Sequence, residues 1–160
     1  MRNVLAILSI LMAAAASANA PIAFDPISVE PERDLAHSAT IEELTFDSEG
    51  YKLTGLIYIA NGPGPHPTVV LLHGFPGNEK NLDIAQAVRR AGFNVMFFHY
   101  RGAWGSEGNY SLLQVDRDAQ RALQFLREPD NAARYRVNPK KLSVLGHSLG
   151  GYAALAAGSR

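Results

Sequence analysis

Gly146-His147-Ser148-Leu149-Gly150 sets a serine hydroxyl between two glycines, where the apolar run Lys141 to Gly146 gives way to a small-residue stretch of helical character. The motif G-x-S-x-G alone is weak evidence. A strand before it and a helix after it give it force, because a sharp strand-to-helix turn pushes the Ser148 side chain out above the sheet. The glycines two before and two after the serine pack where a Cβ would strike the neighbouring backbone, and Gly151 is expected to extend that clearance. The plain alternative is a glycine-rich turn with a helix-capping serine.

A serine hydroxyl attacks a carbonyl only with a base to take its proton and an anion site for the tetrahedral intermediate. Residues for the anion site are present. His73-Gly74-Phe75-Pro76-Gly77 follows another apolar run and precedes a helical pattern, the place from which one oxyanion N–H is donated; the residue after the nucleophile, Leu149, donates the other. Pro76 has no N–H. Phe75 is therefore the candidate donor, its amide turned toward the serine by the preceding His-Gly. A plain tight turn is the competing reading of this segment.

The elements that must hold these residues alternate. Ile41 to Phe46 and Lys52 to Ile59 read as strands joined at Ser48-Glu49-Gly50, an antiparallel hairpin. Thr68 to Leu72 is a β-branched and apolar run suited to a strand buried on both faces. Asn78 to Ala91 carries Leu82, Ile84, Ala85, Val88 and Ala91 at helical spacing, with Gly92 as a C-terminal cap. Phe93 to His99 is a second buried strand. Leu112, Val115, Ala119, Ala122, Leu123 and Leu126 form a helical stripe that Pro129 closes, and Lys141 to Gly146 is a third buried strand. Repeated strand–helix crossovers after a hairpin predict an α/β fold, parallel strands with helices on both faces.

Composition restricts the partners more than the chemistry. Lys and Arg together equal Asp and Glu in the 160 residues, so no charge excess points to nucleic acid, and 47% apolar content is that of a globular domain with a core. There is no cysteine, which excludes thiolate and disulfide chemistry. The chemistry outlined for Ser148 calls for neither cofactor nor metal. Arg2, the apolar stretch Val4 to Ala16 and the small residues after it have the pattern of a secretory signal peptide. That stretch is too short for a hydrocarbon core of roughly 30 Å. Cleavage is expected after Ala18 (cleavage after Ala20 would leave Pro21 first), giving an exported chain, periplasmic or extracellular, with no membrane span in its mature part. Residues 19–39 read as an extended, proline-rich leader, and residues 40–160 as the folded part.

Three segments in this order resemble the α/β-hydrolase superfamily: Pro65 to Phe75, then Phe98-His99-Tyr100-Arg101-Gly102, then Gly146 to Gly151. Within it the chain looks most like the serine aminopeptidase-like and dienelactone-hydrolase-like group, to which Trp104-Gly105-Ser106-Glu107-Gly108 is similar. The resemblance implies a serine hydrolase that cleaves an ester or amide (peptide) bond of a small-molecule or peptide substrate through an acyl-enzyme. It places the Tyr-Arg-Gly loop near the active site, with Trp104 as a wall of the substrate pocket and Arg101 anchoring the loop on Asp116 or Asp118; a plain structural loop serves equally for both. It also orders the triad as serine, acid, histidine. After Ser148 come twelve residues with no Asp, Glu or His, so the base and its carboxylate are expected beyond Arg160. The stretch is thus read as the N-terminal part of the domain, with the strand ending at Gly146 left as an aggregation-prone edge. The alternative is a non-catalytic remnant or a binding module of the same fold.

Overall fold

The computed structural model describes residues 24–158. The expected signal peptide and the first residues of the leader lie outside that range. Strands β1 (Thr40–Ser48) and β2 (Tyr51–Ile59) pair antiparallel along their whole length. The two residues between them, Glu49 and Gly50, have φ values of 54° and 88°. Both being positive, they make the tight hairpin turn whose twist matches the flanking strands.

Beyond the hairpin come β3 (His66–Leu72), α1 (Leu82–Arg90), β4 (Asn94–Phe98), α2 (Val115–Arg127), α3 (Pro129–Arg134), β5 (Val137–Gly146) and α4 (Leu149–Gly158). The sheet runs β1-β2-β4-β3-β5. β2 pairs antiparallel with β4, whereas β3 is parallel to both β4 and β5. Every residue of β4 is buried, as a central strand with helices over both faces requires. One core layer joins Phe46, Leu53, Ile57, Val70, Leu72, Met96 and Phe98 to α2 and α4 through Ala119, Ala122, Leu126, Ala153 and Ala157. The opposite layer packs Tyr58, Leu71, Val95 and Phe97 against Ala85 of α1. Helices therefore cover both faces.

Several element boundaries differ from expectation. α1 starts at Leu82 rather than Asn78, after an Asn81 at φ 53°, and Ile84 is exposed. Its other end matches the cap expected at Gly92: Phe93 N–H donates to Val88 O and Gly92 N–H to Arg89 O, the paired bonds of a Schellman ending. Leu112 precedes α2 and is exposed. Pro129 opens α3 as its first residue as well as closing α2, a position where its missing N–H costs nothing. β5 starts at Val137 and is half exposed rather than buried, since among the described residues only β3 pairs with it.

The described part of the leader lies along the domain. Glu30 accepts hydrogen bonds of 2.6 and 2.7 Å from Arg89 and one of 2.7 Å from Arg90. Asn61 donates to Glu32 O at 2.8 Å and accepts from Asp34 N–H at 2.9 Å.

Candidate active site

Ser148 stands between the end of β5 and the start of α4 with φ 55°. A serine in the left-handed region is held there by its surroundings. Those surroundings are glycines pressed against backbone. A Cβ on Gly146 would lie 2.1 Å from Gly150 O, and one on Gly150 would lie 2.1 Å from Leu72 O. Gly151 is different: its Cβ would meet nothing nearer than 3.5 Å, so the clearance expected of it is not needed. The turn closes through Gly150 N–H to His147 O and Gly151 N–H to Ser148 O, both 2.9 Å. Ser148 and His147 are exposed, and no hydrogen bond joins their side chains among the described residues.

The loop after β3 packs directly on this turn. A Cβ on Gly74 would stand 3.2 Å from the Ser148 Cβ and 3.4 Å from His147 O. Three of the loop's carbonyls each accept from a side chain. Tyr100 Oη donates to His73 O at 3.1 Å, and Trp104 Nε1 donates to Pro76 O at 2.7 Å. His73 Nδ1 lies 2.7 Å from Gly74 O; a carbonyl only accepts, so that nitrogen carries the proton. The Phe75 N–H, by contrast, has no acceptor among the described residues. Leu149 is the first residue of α4, where an N–H has no intrahelical acceptor. The structure thus brings Ser148, Phe75 and Leu149 to one end of the parallel strands, with Trp104 bound to the same loop. The Phe75 ring is exposed and meets the Tyr110 ring at 5.5 Å.

Beneath the loop lie two imidazoles. His73 is buried, and its ring is 4.6 Å from Tyr100 and 5.3 Å from His99. Burial holds His73 below the usual imidazole range; its bond to Gly74 O opposes this and the charge of Lys80 adds to it. Burial, then the neighbouring His73 and Lys80, lower His99 to about 4. Among the described residues neither His73 Nε2 nor His99 Nδ1 has a hydrogen-bond partner, and burial favours the neutral form of both rings.

The loop after β4 is held by a buried ion pair. Arg101 Nη2 is 2.8 Å from Asp118 Oδ1, and Arg101 also donates to Glu49 at 3.1 Å and to Ser48 Oγ at 3.1 Å. Asp118 is therefore the partner, of the two carboxylates considered. Breaking one side of such a buried pair costs about 3–5 kcal/mol. Ser106 Oγ accepts from Thr54 N–H at 3.0 Å and donates to His99 O at 2.7 Å, which extends the β2–β4 pairing past the end of the strand. Tyr100, His73 and Ser106 hold the site without having been singled out in the sequence. All three stand inside segments that carry the resemblance, but a hydroxyl or imidazole bonded to a carbonyl leaves no periodic signal.

A hairpin leading into parallel strands, helices on both faces and a strained strand-to-helix turn beside the loop after β3 make the class that of the α/β-hydrolases. The BD-FAE family profile matches residues 56–160, more than half the chain, and the protein belongs to that family. Among curated relatives, it is 32% identical over 88 residues to the lysophosphatidylserine lipase ABHD12 of Danio rerio, covering 53% of this chain and 21% of that one. It is 32% identical over 111 residues to esterase EstD of Thermotoga maritima, covering 61% and 25% respectively. The chain spans well under half the length of either relative. Its fold is similar to that of the α/β-hydrolase GrgF of Penicillium sp. sh18, with a TM-score of 0.64 at 24% identity, over 74% of this chain and 41% of that one. It is also similar to the Pyrococcus furiosus esterase Pf2001, with a TM-score of 0.59 at 21% identity, over 79% and 51%. No helix among the described residues is long and apolar enough to cross a membrane.

Proposed function

We propose that the protein is a serine hydrolase that cleaves a small-molecule ester through an acyl-enzyme. Ser148 Oγ attacks the ester carbonyl and the Phe75 and Leu149 amides receive the negative charge of the tetrahedral oxygen. That oxygen then re-forms the carbonyl as the alcohol departs. Water attacks the resulting acyl-Ser148 ester, and the carboxylic acid leaves with Ser148 restored. The proton from Ser148 passes to a histidine, and from it to the departing alkoxide. The histidine and its orienting carboxylate are assigned to chain following Arg160, in keeping with relatives much longer than this stretch.

The observation that supports this reading best is the contact of Gly74 with Ser148. It brings the loop that carries Phe75 against the turn that carries Ser148, and donors fixed in place around a developing oxyanion lower the barrier to acyl transfer more than most other devices do. An ester is preferred to a peptide because of the named esterase among the relatives. The test is hydrolysis of p-nitrophenyl acetate and butyrate by the protein with the chain that follows residue 160. Turnover should fall by roughly 10³-fold or more in Ser148→Ala. Turnover that survives the substitution refutes the assignment. A folded protein with no turnover in either form would favour the alternative of a non-catalytic remnant or binding module.

A further inference from the structure

We infer that Trp104 is a positioning residue for the oxyanion loop: its indole N–H, bonded to Pro76 O, pins the loop on the C-terminal side of Phe75 and so keeps the Phe75 amide turned toward Ser148. This rests on the role proposed for Phe75, and it assigns Trp104 a task other than walling a pocket.

The loop carries its own orientation problem. A peptide unit that points its N–H toward the nucleophile must point its carbonyl elsewhere, and each carbonyl so displaced needs a donor. His73 O has the Tyr100 hydroxyl, and Gly74 O has the His73 ring. Both donors are buried, and the second holds the carbonyl of the peptide unit whose N–H is that of Phe75. On the far side of Phe75 the donor is Trp104, at 2.7 Å from Pro76 O. That carbonyl shares its peptide unit with the Gly77 N–H, so the bond fixes the Pro76–Gly77 peptide immediately beyond Phe75. Gly77 completes the fit. At φ 94° its absent Cβ would stand 2.8 Å from Trp104 Nε1 and 2.8 Å from His73 Cε1, so glycine lets the loop descend onto both rings.

A positioning donor must itself be fixed, and Trp104 is. It adopts φ 47° in a tight turn where Ala103 N–H donates to Tyr100 O and Ser106 N–H to Ala103 O, at 3.0 and 2.9 Å. Arg101 on one side is buried against Asp118, and Glu107 on the other donates its N–H to Lys52 O at 2.9 Å. The turn is thus tied to β2, β4 and α2. The indole ring itself is half exposed, so its value does not come from filling the core.

Trp104 is the one tryptophan of these 160 residues, and a tryptophan analogue is placed at position 104 alone by site-specific incorporation. The experiment compares the protein carrying Trp104, Trp104→Phe, and 7-azatryptophan at 104, which keeps the N–H. The first readout needs no reactivity: ¹⁵N order parameters of the Gly74, Phe75 and Gly77 amides. They should match the strands at about 0.85 with Trp104 or its aza analogue and fall toward about 0.6 in Trp104→Phe. The second is the rate at which a fluorophosphonate labels Ser148. In Trp104→Phe the limiting rate should drop about three- to tenfold, the worth of one hydrogen bond of ordinary net strength, with the half-saturating concentration unchanged. The aza analogue should restore it.

Order parameters at residues 74–77 unmoved by Trp104→Phe would overturn the inference. So would a loss of order spread evenly over the sheet, or a labelling defect confined to half-saturation, which is the mark of a pocket wall. Absence of labelling in every form, with order parameters changing as stated, would sink the serine-hydrolase reading and leave the structural inference standing.

Discussion

At Gly146 and Gly150 a single added methyl would overlap a backbone oxygen at 2.1 Å, and backbone cannot step aside as a side-chain tip can. Overpacking of this kind costs about 1–3 kcal/mol. Here the strain falls on the turn that sets Ser148 at positive φ. Gly146→Ala and Gly150→Ala should each lower the denaturation midpoint and abolish reaction at Ser148, while Gly151→Ala, with 3.5 Å of room, should leave both nearly unchanged. Thermal melts of the three variants decide this; equal effects at all three positions would mean that the tight packing is not what shapes the turn. The sequence pattern already set Gly146 and Gly150 apart by their spacing about the serine. It could not separate Gly151 from them, because clearance depends on Leu72, a residue far away in the chain.

At the scale of elements, the loops after β3 and β4 lean on each other through His73, His99, Tyr100 and Trp104. Both imidazoles are held below their ordinary value of 6.5, His99 at about 4. The unfolded chain therefore binds protons that the folded chain refuses, and stability falls as pH drops from above 6.5 toward 4. Lys80 is the charged group that adds to this on both rings. Denaturant midpoints measured between pH 7.5 and 4 should decline, and His99→Phe should flatten the decline. An unchanged slope in that variant would show that other groups carry the acid sensitivity. Strand identity and order along the chain were legible from apolar runs and turn residues, as was the hairpin. Helix starts were not: α1 begins at Leu82 because Asn81 turns left-handed before it, and α2 begins at Val115 because Ser111 to Gln114 form a turn of their own, closed by Gln114 N–H to Ser111 O. Neither event leaves a periodic trace. The pairing of Arg101 with Asp118 narrowed to two carboxylates in the sequence, and burial chose between them.

At the scale of the molecule, β5 pairs only with β3 among the described residues, and Leu145 on it is 42% exposed. Tyr152 and Leu155 of α4 are exposed beside it. An apolar edge strand is a template for another chain. Residues 24–160 produced alone should self-associate with rising concentration, and Leu145→Lys should suppress this. Sedimentation velocity is the check; a monomer at all concentrations would mean that the edge is protected in some other way. The same edge lies next to the turn that carries Ser148, so a strand pairing with β5 would also border that turn.

Central to the account is a reactive hydroxyl at Ser148 facing the Phe75 and Leu149 amides. The most direct measurement is peptide mass spectrometry of the protein, with its following chain, after exposure to a fluorophosphonate. The account predicts one adduct, on the peptide containing Ser148, formed faster than on denatured protein and absent from Ser148→Ala. An adduct on another residue, or an equal rate after denaturation, would contradict it.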